Sequence, residues 1–251
     1  MKIYVCVKQV PDTETKVKVA EDGKSLDERD LTLILNPYCE FAVEEGLRIK
    51  EKLGGDVTLV TVGPDGAKAA LRSGLAMGAD SAIHLSADNA RMADSFVIAS
   101  LLAEQIKAGA PDLVLMGKKS VDTDMQAVPP MTAALLNLPI VTAVVEAEWN
   151  IDSAKLVREI EGGKERYEMA YPLIATIDKG LNEPRYASLK GIMQAKKKPI
   201  ETKTVNLSGE TLVIEKMSYP PVAQPGKIVG EGAAVAPELI RLLREEAKVI
   251  E

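Results

Sequence analysis

Short apolar runs alternate with amphipathic segments over the first 145 residues, and this alternation constrains the fold more than any other feature of the chain. Strands are predicted at residues 3–7, 56–62, 82–85, 112–116 and 140–145, with helices beginning near residues 37, 65, 94 and 129. The polar stretch 13–34 is predicted to be a hairpin excursion. A parallel sheet with helices on both faces is the architecture that this order predicts.

Composition narrows the class of protein further. Aromatic residues make up only 4% of the chain, so its core is aliphatic, which suits buried parallel strands covered by helices. Cys6, Cys39 and His84 are the whole cysteine and histidine inventory, whereas a zinc cluster needs about four such ligands. The net charge of −6 argues against a general nucleic-acid binder.

The beginning of the chain and its two cysteines predict a cytoplasmic location. The segment MKIYVCVKQVPD lacks the apolar core of a signal peptide, and no run reaches the ~18 apolar residues of a membrane span. Two cysteines fit a reducing compartment. We therefore expect a protein without membrane insertion, whose redox or group-transfer chemistry would come from a bound cofactor or partner.

The pattern changes after residue 145. Short strands at 155–160, 166–170 and 173–177 predict a hairpin and one further strand, added to the sheet in antiparallel fashion. From Gly180 the chain is predicted to be mostly irregular until an amphipathic helix at 237–249. We divide it into an α/β domain (1–180), a loop (181–201) and an extended arm with the terminal helix (202–251).

The segment GKKSVDTDMQAV, Gly117 to Val128, directly follows a predicted buried strand. Ligands of open α/β sheets lie outside the carboxyl ends of strands, glycine permits close backbone approach, and a helix N-terminus can hold an anion. An ordinary polar loop is the open alternative. Asp122 and Asp124 could ligate a metal, but bonds to backbone amides are the expected role.

The segment Leu181 to Glu201 reverses the sign of the chain's charge. Residues 182–198 carry a net charge of +4, against −10 for the rest, and they interleave basic residues with Tyr186, Leu189, Ile192 and Met193. Basic side chains around an apolar anchor are typical of a docking site for an acidic protein. A solvated basic loop is the alternative, and it would suffice for Lys196–Lys198 alone.

The segment Asn36-Pro37-Tyr38-Cys39 predicts a helix start, because Asn is a preferred cap and Pro suits the first helical position. Cys39 could have a lowered thiol pKa beside that N-terminus, although a structural role is favoured for a cysteine without a neighbouring base. His84 lies within a predicted strand, and we expect a structural role for it.

Taken together, these segments resemble the beta subunits of the electron transfer flavoprotein family. The matching runs are VCVKQVPD, LNPYCEFAVEE, GLAMGAD, DLVLMGKKSVDTD and LNEPRYASLKGIMQAKKKPIE. They extend over nearly the whole chain, and the order NEPRYA…IM.AKKK.IE is highly specific for the family.

The resemblance implies a Rossmann-like sheet of the adenine nucleotide alpha-hydrolase type, in a heterodimer. An alpha subunit would hold most of the FAD, and this chain would bind AMP structurally. By matching motif positions, the AMP site would comprise Cys6, Asn36, Pro37, Tyr38, Cys39, Val62, Gly117, Lys118, Lys119, Ser120, Val121, Asp122, Thr123, Asp124, Met125, Gln126, Ala127 and Val128.

The resemblance also implies partner contacts. Residues 1–180 would be a nucleotide-binding domain, residues 181–201 a partner-recognition loop, and residues 202–251 an arm that packs on the alpha subunit. Leu189 would enter an apolar pocket on an acyl-CoA or related dehydrogenase, and electrons would pass on to a membrane quinone oxidoreductase, as in fatty acid β-oxidation. Glu159 would hold the mobile FAD domain through an arginine of the alpha subunit, which the C-terminal helix would clasp. The expected partner-binding residues are Tyr186, Leu189, Ile192, Met193, Lys196, Lys197 and Lys198. The chain would then be an electron carrier rather than an enzyme.

Several positions depart from the family's pattern. Gln126-Ala127-Val128-Pro129 stands where the phosphate-binding order is Asn-Gln-Thr-Gly, and Pro129 has no backbone N–H. Electron-bifurcating members, which bind a second FAD in place of AMP, have Asp-Gly-Asp-Thr where this chain has Asp122-Thr123-Asp124-Met125. Thr13 replaces a tyrosine that would cover the FAD rings.

Two alternatives therefore stay open. One is a bifurcating flavoprotein whose second FAD, bound in this chain, oxidises NADH, and the other is a stand-alone stress-type nucleotide-binding module. An ATP-cleaving ligase of the same broad fold is disfavoured, because Lys8-Gln9-Val10-Pro11 stands in place of its Ser-Gly-Gly loop.

Overall fold

The computed structural model describes residues 1–209, 212–222 and 225–250, except the side chain of Met92. The strands in this part of the chain are β1 (Lys2–Cys6), β2 (Gln9–Pro11), β3 (Leu33–Leu35), β4 (Asp56–Gly63), β5 (Ser81–Ser86), β6 (Leu113–Gly117), β7 (Ile140–Trp149), β8 (Ser153–Ile160), β9 (Gly163–Ala170), β10 (Leu173–Ile177) and β11 (Ile200–Thr204). The helices are α1 (Pro37–Leu53), α2 (Lys68–Met77), α3 (Ser95–Gly109), α4 (Val128–Leu136), α5 (Leu189–Ala195) and α6 (Ala236–Glu245).

The main sheet confirms the predicted α/β class. Its strand order is β11-β5-β4-β1-β6-β10-β7-β8-β9, and every pairing from β11 to β7 is parallel. The β8–β9 hairpin is the antiparallel addition. A separate β2–β3 pair closes the predicted excursion over residues 13–34.

The core lies on both faces of this sheet. Ile3 and Val5 of β1 pack with α1 and α2 on one face, whereas Tyr4 and Cys6 pack with α3 and α4 on the other. Alternate strand residues point to opposite faces, so a strand buried on both sides needs a continuous apolar run. Strands β6 and β10 have such runs and are buried at every residue.

The strand β10 corrects one prediction. It is parallel and lies between β6 and β7, so it is an internal strand of the sheet and not an antiparallel addition. Its sequence, LIATI, is apolar except for the buried Thr176, which suits such a strand. The order along the chain concealed this position, because the hairpin β8–β9 lies between β7 and β10 in sequence.

The region after Gly180 is less irregular than predicted. It contains α5, which packs against α2, and β11, which pairs in parallel with β5 at the edge of the sheet. The terminal helix α6 ends at Glu245, short of the predicted 249. The described chain forms two compact units, Met1–Met217 and Ser218–Glu251. The functional division at residues 180 and 201 stays a prediction.

The second unit contains α6 and the 3-10 turn Ala233–Val235 before it. Arg241 forms ion pairs with Glu238 and Glu245 along one side of α6, while Leu239 and Ile240 are almost half exposed. Among the described residues, no helix is long and apolar enough to cross a membrane.

Two buried carboxylates of α1 tie distant parts of the first unit together. Glu45 accepts hydrogen bonds from Trp149 Nε1 at 2.6 Å and from Asn182 Nδ2 at 2.8 Å. Glu44 is paired with Arg185, whose guanidinium also reaches Glu51. Buried carboxylates require such partners. The segment 182–185 is therefore fixed to α1.

We expect Glu45→Ala to lower the free energy of unfolding by about 3 kcal/mol, because it leaves Trp149 Nε1 without its acceptor and removes one of the two acceptors of Asn182 Nδ2. Urea denaturation followed by tryptophan fluorescence measures the change. Glu104→Ala is the control, since this exposed glutamate of α3 should shift stability by less than about 0.5 kcal/mol. Equal effects of the two substitutions would contradict the role given to Glu45.

Candidate functional site

A cavity lies at the carboxyl ends of β1, β4 and β6, where an open parallel sheet binds ligands. It brings together most of the predicted nucleotide site: Cys6, Asn36, Cys39, Val62, Gly117, Lys118, Lys119, Ser120, Thr123, Met125, Gln126, Ala127 and Val128. The predicted residues Pro37, Tyr38, Val121, Asp122 and Asp124 are not in its wall. The wall is thus drawn from the segments that the sequence singled out.

Asn36 has a different role from the predicted one. Its side chain makes no capping bond to α1. Instead, Nδ2 donates to the carbonyl of Lys119 at 2.9 Å, and Oδ1 accepts from the amide of Val121 at 3.1 Å. A fully buried amide thereby satisfies its polar atoms in the loop 117–128 and holds that loop against α1.

Gly117 also allows the loop 117–128 to lie close to α1. A Cβ atom at this position would lie 2.8 Å from the carbonyl carbon of Tyr38, which is backbone and cannot move aside as a side-chain tip could. Tyr38 thus supports the loop from behind, outside the cavity wall.

The loop presents backbone donors to the cavity. Asp124 and Gln126 both have positive φ angles, and Ala127 then returns to the right-handed helical region. Successive residues of alternating hand form a concave set of amides that suits an anion. Among the described residues, the amides of Gln126 and Ala127 have no acceptor. Pro129 and Pro130 have no N–H group in the first turn of α4, and the amides of Gln126 and Ala127 are among the donors that remain for a phosphate.

The lysines around the loop are paired with carboxylates. Lys8 contacts Asp122 at 2.7 Å, Lys118 contacts Asp178 at 2.6 Å, and Lys119 contacts Asp124 at 2.7 Å. Asp122 and Asp124 therefore hold loop cations. The described residues contain no cluster of acidic, His or Cys side chains that could hold a metal ion.

The two cysteines are not activated. Burial raises the pKa of the Cys39 thiol, and a weaker opposing effect comes from the bond that Asn36 Nδ2 donates to its sulfur. Burial likewise raises the pKa of Cys6 well above its usual range. The lowered pKa considered for Cys39 is wrong, and both thiols are apolar wall residues. His84 is fully buried, with Nε2 2.9 Å from the carbonyl oxygen of Gly63, as expected for a structural histidine.

Sequence reasoning missed three polar wall residues. Lys8 and Gln9 follow β1, and Arg91 follows β5 in the turn Ala90–Met92. Arg91 is only 8% exposed in its side chain and bonds Glu28 and Gln9. Their position just after predicted strands is the signal that could have found them.

The predicted docking residues form an exposed surface on and before α5. Tyr186 is 99% exposed, Leu189 82% and Met193 70%, and Ile192, Lys196 and Lys197 are also exposed. Lys198 departs from the prediction, because its Nζ turns inward and donates to the carbonyls of Leu75 and Ala79. Arg185 is likewise neutralised by Glu44 and Glu51, so the surface is less basic than the sequence suggests.

Glu159 lies far along β8, exposed and in register with Lys164 of β9. It is outside the cavity wall and outside the docking surface. The orienting role proposed for Glu159 therefore concerns a third surface of the first unit.

The sheet, the helices on its two faces and the cavity at the strand ends define an α/β protein of the Rossmann-like type. A family model described as the electron transfer flavoprotein domain matches residues 24–208. The chain belongs to the electron transfer flavoprotein family, and its relatives place it among the beta subunits.

Curated relatives match over the full chain. The electron transfer flavoprotein subunit beta of Bacillus subtilis is 41% identical over 100% of both chains. The mitochondrial subunit beta of Arabidopsis thaliana is 36% identical over 100% of both chains, and the subunit beta of Sus scrofa is 36% identical over 99% of both. This membership removes the stress-type module and the ligase as alternatives.

We expect Asn36→Ala to release the loop 117–128 from α1, because the Lys119 carbonyl and the Val121 amide lose their buried partner. Hydrogen exchange at residues 118–124 should accelerate roughly tenfold, which corresponds to a loss of about 1.4 kcal/mol of local stability. Asn206→Ala, at an exposed asparagine, is the matched control. Unchanged exchange in the loop would refute the bracing role of Asn36.

Proposed function

We propose that this chain is the beta subunit of a heterodimeric electron transfer flavoprotein that carries electrons from acyl-CoA or related dehydrogenases to a membrane quinone oxidoreductase. The observation that carries the proposal is α5, a helix whose large apolar side chains point into solvent, on a chain that also has a cavity at the carboxyl ends of its central strands. A patch of this kind on a folded protein is typical of a partner contact. In the proposed role the chain binds and docks, and it is no enzyme.

AMP is the ligand that we propose for the cavity. The free amides of Gln126 and Ala127 would bind its phosphate, and the apolar wall at Cys6, Val62 and Val128 would contact its adenosine. The proline pair removes helix amides from this task, so binding would depend on the loop that Asn36 and Gly117 support. The chemistry of the donor set thus fits a nucleotide monophosphate.

FAD, bound mainly by the alpha subunit, would supply the redox chemistry of the heterodimer. Leu189 would insert into an apolar pocket of the dehydrogenase, and Lys196 and Lys197 would steer its acidic rim. Glu159 would hold the FAD domain through an arginine of the alpha subunit. The exposed apolar residues of α6 would pack on the alpha subunit. We infer a cytoplasmic location, which the two free thiols support.

We expect Leu189→Ala in the heterodimer to raise the KM for a purified acyl-CoA dehydrogenase roughly tenfold, because an apolar anchor is lost. The rate at saturation and the flavin content should be retained. Reduction of the heterodimer by dehydrogenase and acyl-CoA, followed by flavin absorbance, gives both parameters. Ile151→Ala is the control, since it removes an equally exposed apolar side chain outside the docking surface. An unchanged KM for Leu189→Ala would overturn the docking proposal.

A second FAD in this chain is the alternative that one observation favours. A second cavity adjoins the first, and the two share the wall residues Arg91, Ala93, Ser95, Thr123 and Met125. A ligand longer than AMP would extend from one into the other.

Flavin and nucleotide analysis of the purified heterodimer separates the two ligands. We expect one FAD and one AMP per heterodimer. Two FAD without AMP, together with reduction by NADH, would establish the bifurcating type in place of the proposed one.

A further inference from the structure

The helix α5 has two faces of different character. Leu189, Ile192 and Met193 are exposed, whereas Gly191 and Ala195 face the protein. Residues four apart lie on one side of a helix, so the inner side carries only small residues. A helix of seven residues is not stable alone in water. The conformation of α5 therefore depends on what its inner side contacts.

Gly191 brings α5 against the backbone of α2. A Cβ atom there would overlap the carbonyl oxygen of Ala76, the residue before the last of α2. Ala195 is 2% exposed and belongs to the core cluster. At the other end of α5, Ser188 Oγ accepts a hydrogen bond from the Gly191 amide at 3.0 Å and caps the helix.

Two cations hold the ends of the two helices together. Arg72 of α2 donates from one guanidinium nitrogen to the carbonyl of Ala195, and to that of Lys198 at 2.8 Å. Lys198 Nζ donates in return to the carbonyl of Leu75 at 3.2 Å, and to that of Ala79. The last carbonyls of a helix have no partner within it, and a cation there is favourable. The end of α5 thus receives a cation from α2, and the end of α2 receives one from the segment that directly follows α5.

Lys198 differs in this respect from its neighbours. Lys196 and Lys197 are exposed, and Lys198 is partly buried. Burial lowers the pKa of the Lys198 amine, although Asp80 nearby acts in the opposite direction. In the sequence the three lysines are one basic run, but the structure gives the third a different task.

We propose that Arg72 and Lys198 are positioning residues that keep α5 folded on α2 and thereby set the geometry in which Leu189 meets the dehydrogenase. The proposal rests on the docking function proposed above. Neither residue need touch the partner. A loosened α5 would have to be ordered at the moment of docking, and that ordering would weaken binding.

The first test is made on the heterodimer without dehydrogenase. Lys198→Met removes the bonds to Leu75 of α2 and to Ala79 just after it, and keeps most of the apolar stem. We expect amide exchange in residues 189–198 to accelerate roughly tenfold. Lys197→Met is the matched control, because it removes the same charge from the neighbouring lysine, whose side chain is exposed. Amide exchange in this variant should be the same as in the original chain. Equal exchange in the two variants would overturn the positioning role of Lys198.

The second test measures docking. We expect Lys198→Met to raise the KM for the acyl-CoA dehydrogenase while the rate at saturation and the flavin spectrum are retained. Lys198→Arg keeps hydrogen-bond donors at this position, so amide exchange in α5 should stay slow. Most of the affinity that Lys198→Met loses should then be retained. If Lys198→Met accelerates exchange but leaves the KM unchanged, the bonds of Lys198 do not affect docking and the proposal is refuted.

Leu189→Ala separates failure of this inference from failure of the proposed function. Leu189→Ala should raise the KM without changing amide exchange in α5, since its side chain points outward. If Leu189→Ala leaves the KM unchanged, the docking function itself is wrong. If Leu189→Ala raises the KM and Lys198→Met does not, the docking function is supported and the positioning role of Lys198 is wrong.

Discussion

The buried carboxylates of α1 are the constraint on which the arrangement of the first unit depends. Glu44 and Glu45 lie within the helix that covers the central strands, at 3% and 5% exposure. Burial alone raises the pKa of Glu44, but the hydrogen bonds from Arg185 and Arg48 outweigh it and hold the pKa below its usual value. Charges in such a place require partners, and these come from Trp149, Asn182 and Arg185, far away in sequence. The segment 182–185, between β10 and α5, is therefore held against α1.

The elements of the fold that depend on local sequence patterns could be predicted. Apolar runs and glycine or proline boundaries gave β1, β4, β5 and β6 and the helices between them nearly in full, because one period dominates each segment. The position of β10 could not follow from such patterns, since its direction depends on which strands it meets. The helix α5 was missed because its inner side carries glycine and alanine, which leave no apolar stripe for the sequence to show.

The candidate site shows the same division between local and long-range information. Gly117 was singled out because it follows a predicted buried strand, whereas Cys6 and Val62 were named through the family resemblance; all three line the cavity at strand ends. Asn36 precedes α1 as predicted, but its bonds to Lys119 and Val121 join residues more than eighty positions apart, and local patterns could not show them. Lys198 was assigned to the surface for a similar reason, since charge density along the chain does not reveal which lysine faces inward.

The helix α1 contacts two separate parts of the first unit. Asn36 at its start braces the loop 117–128, and Glu44 and Glu45 two to three turns further hold the segment that leads to α5. One residue inserted between them would turn the carboxylates by about 100° around the helix axis. Both sets of contacts therefore require the spacing from Asn36 to Glu45 that this chain has.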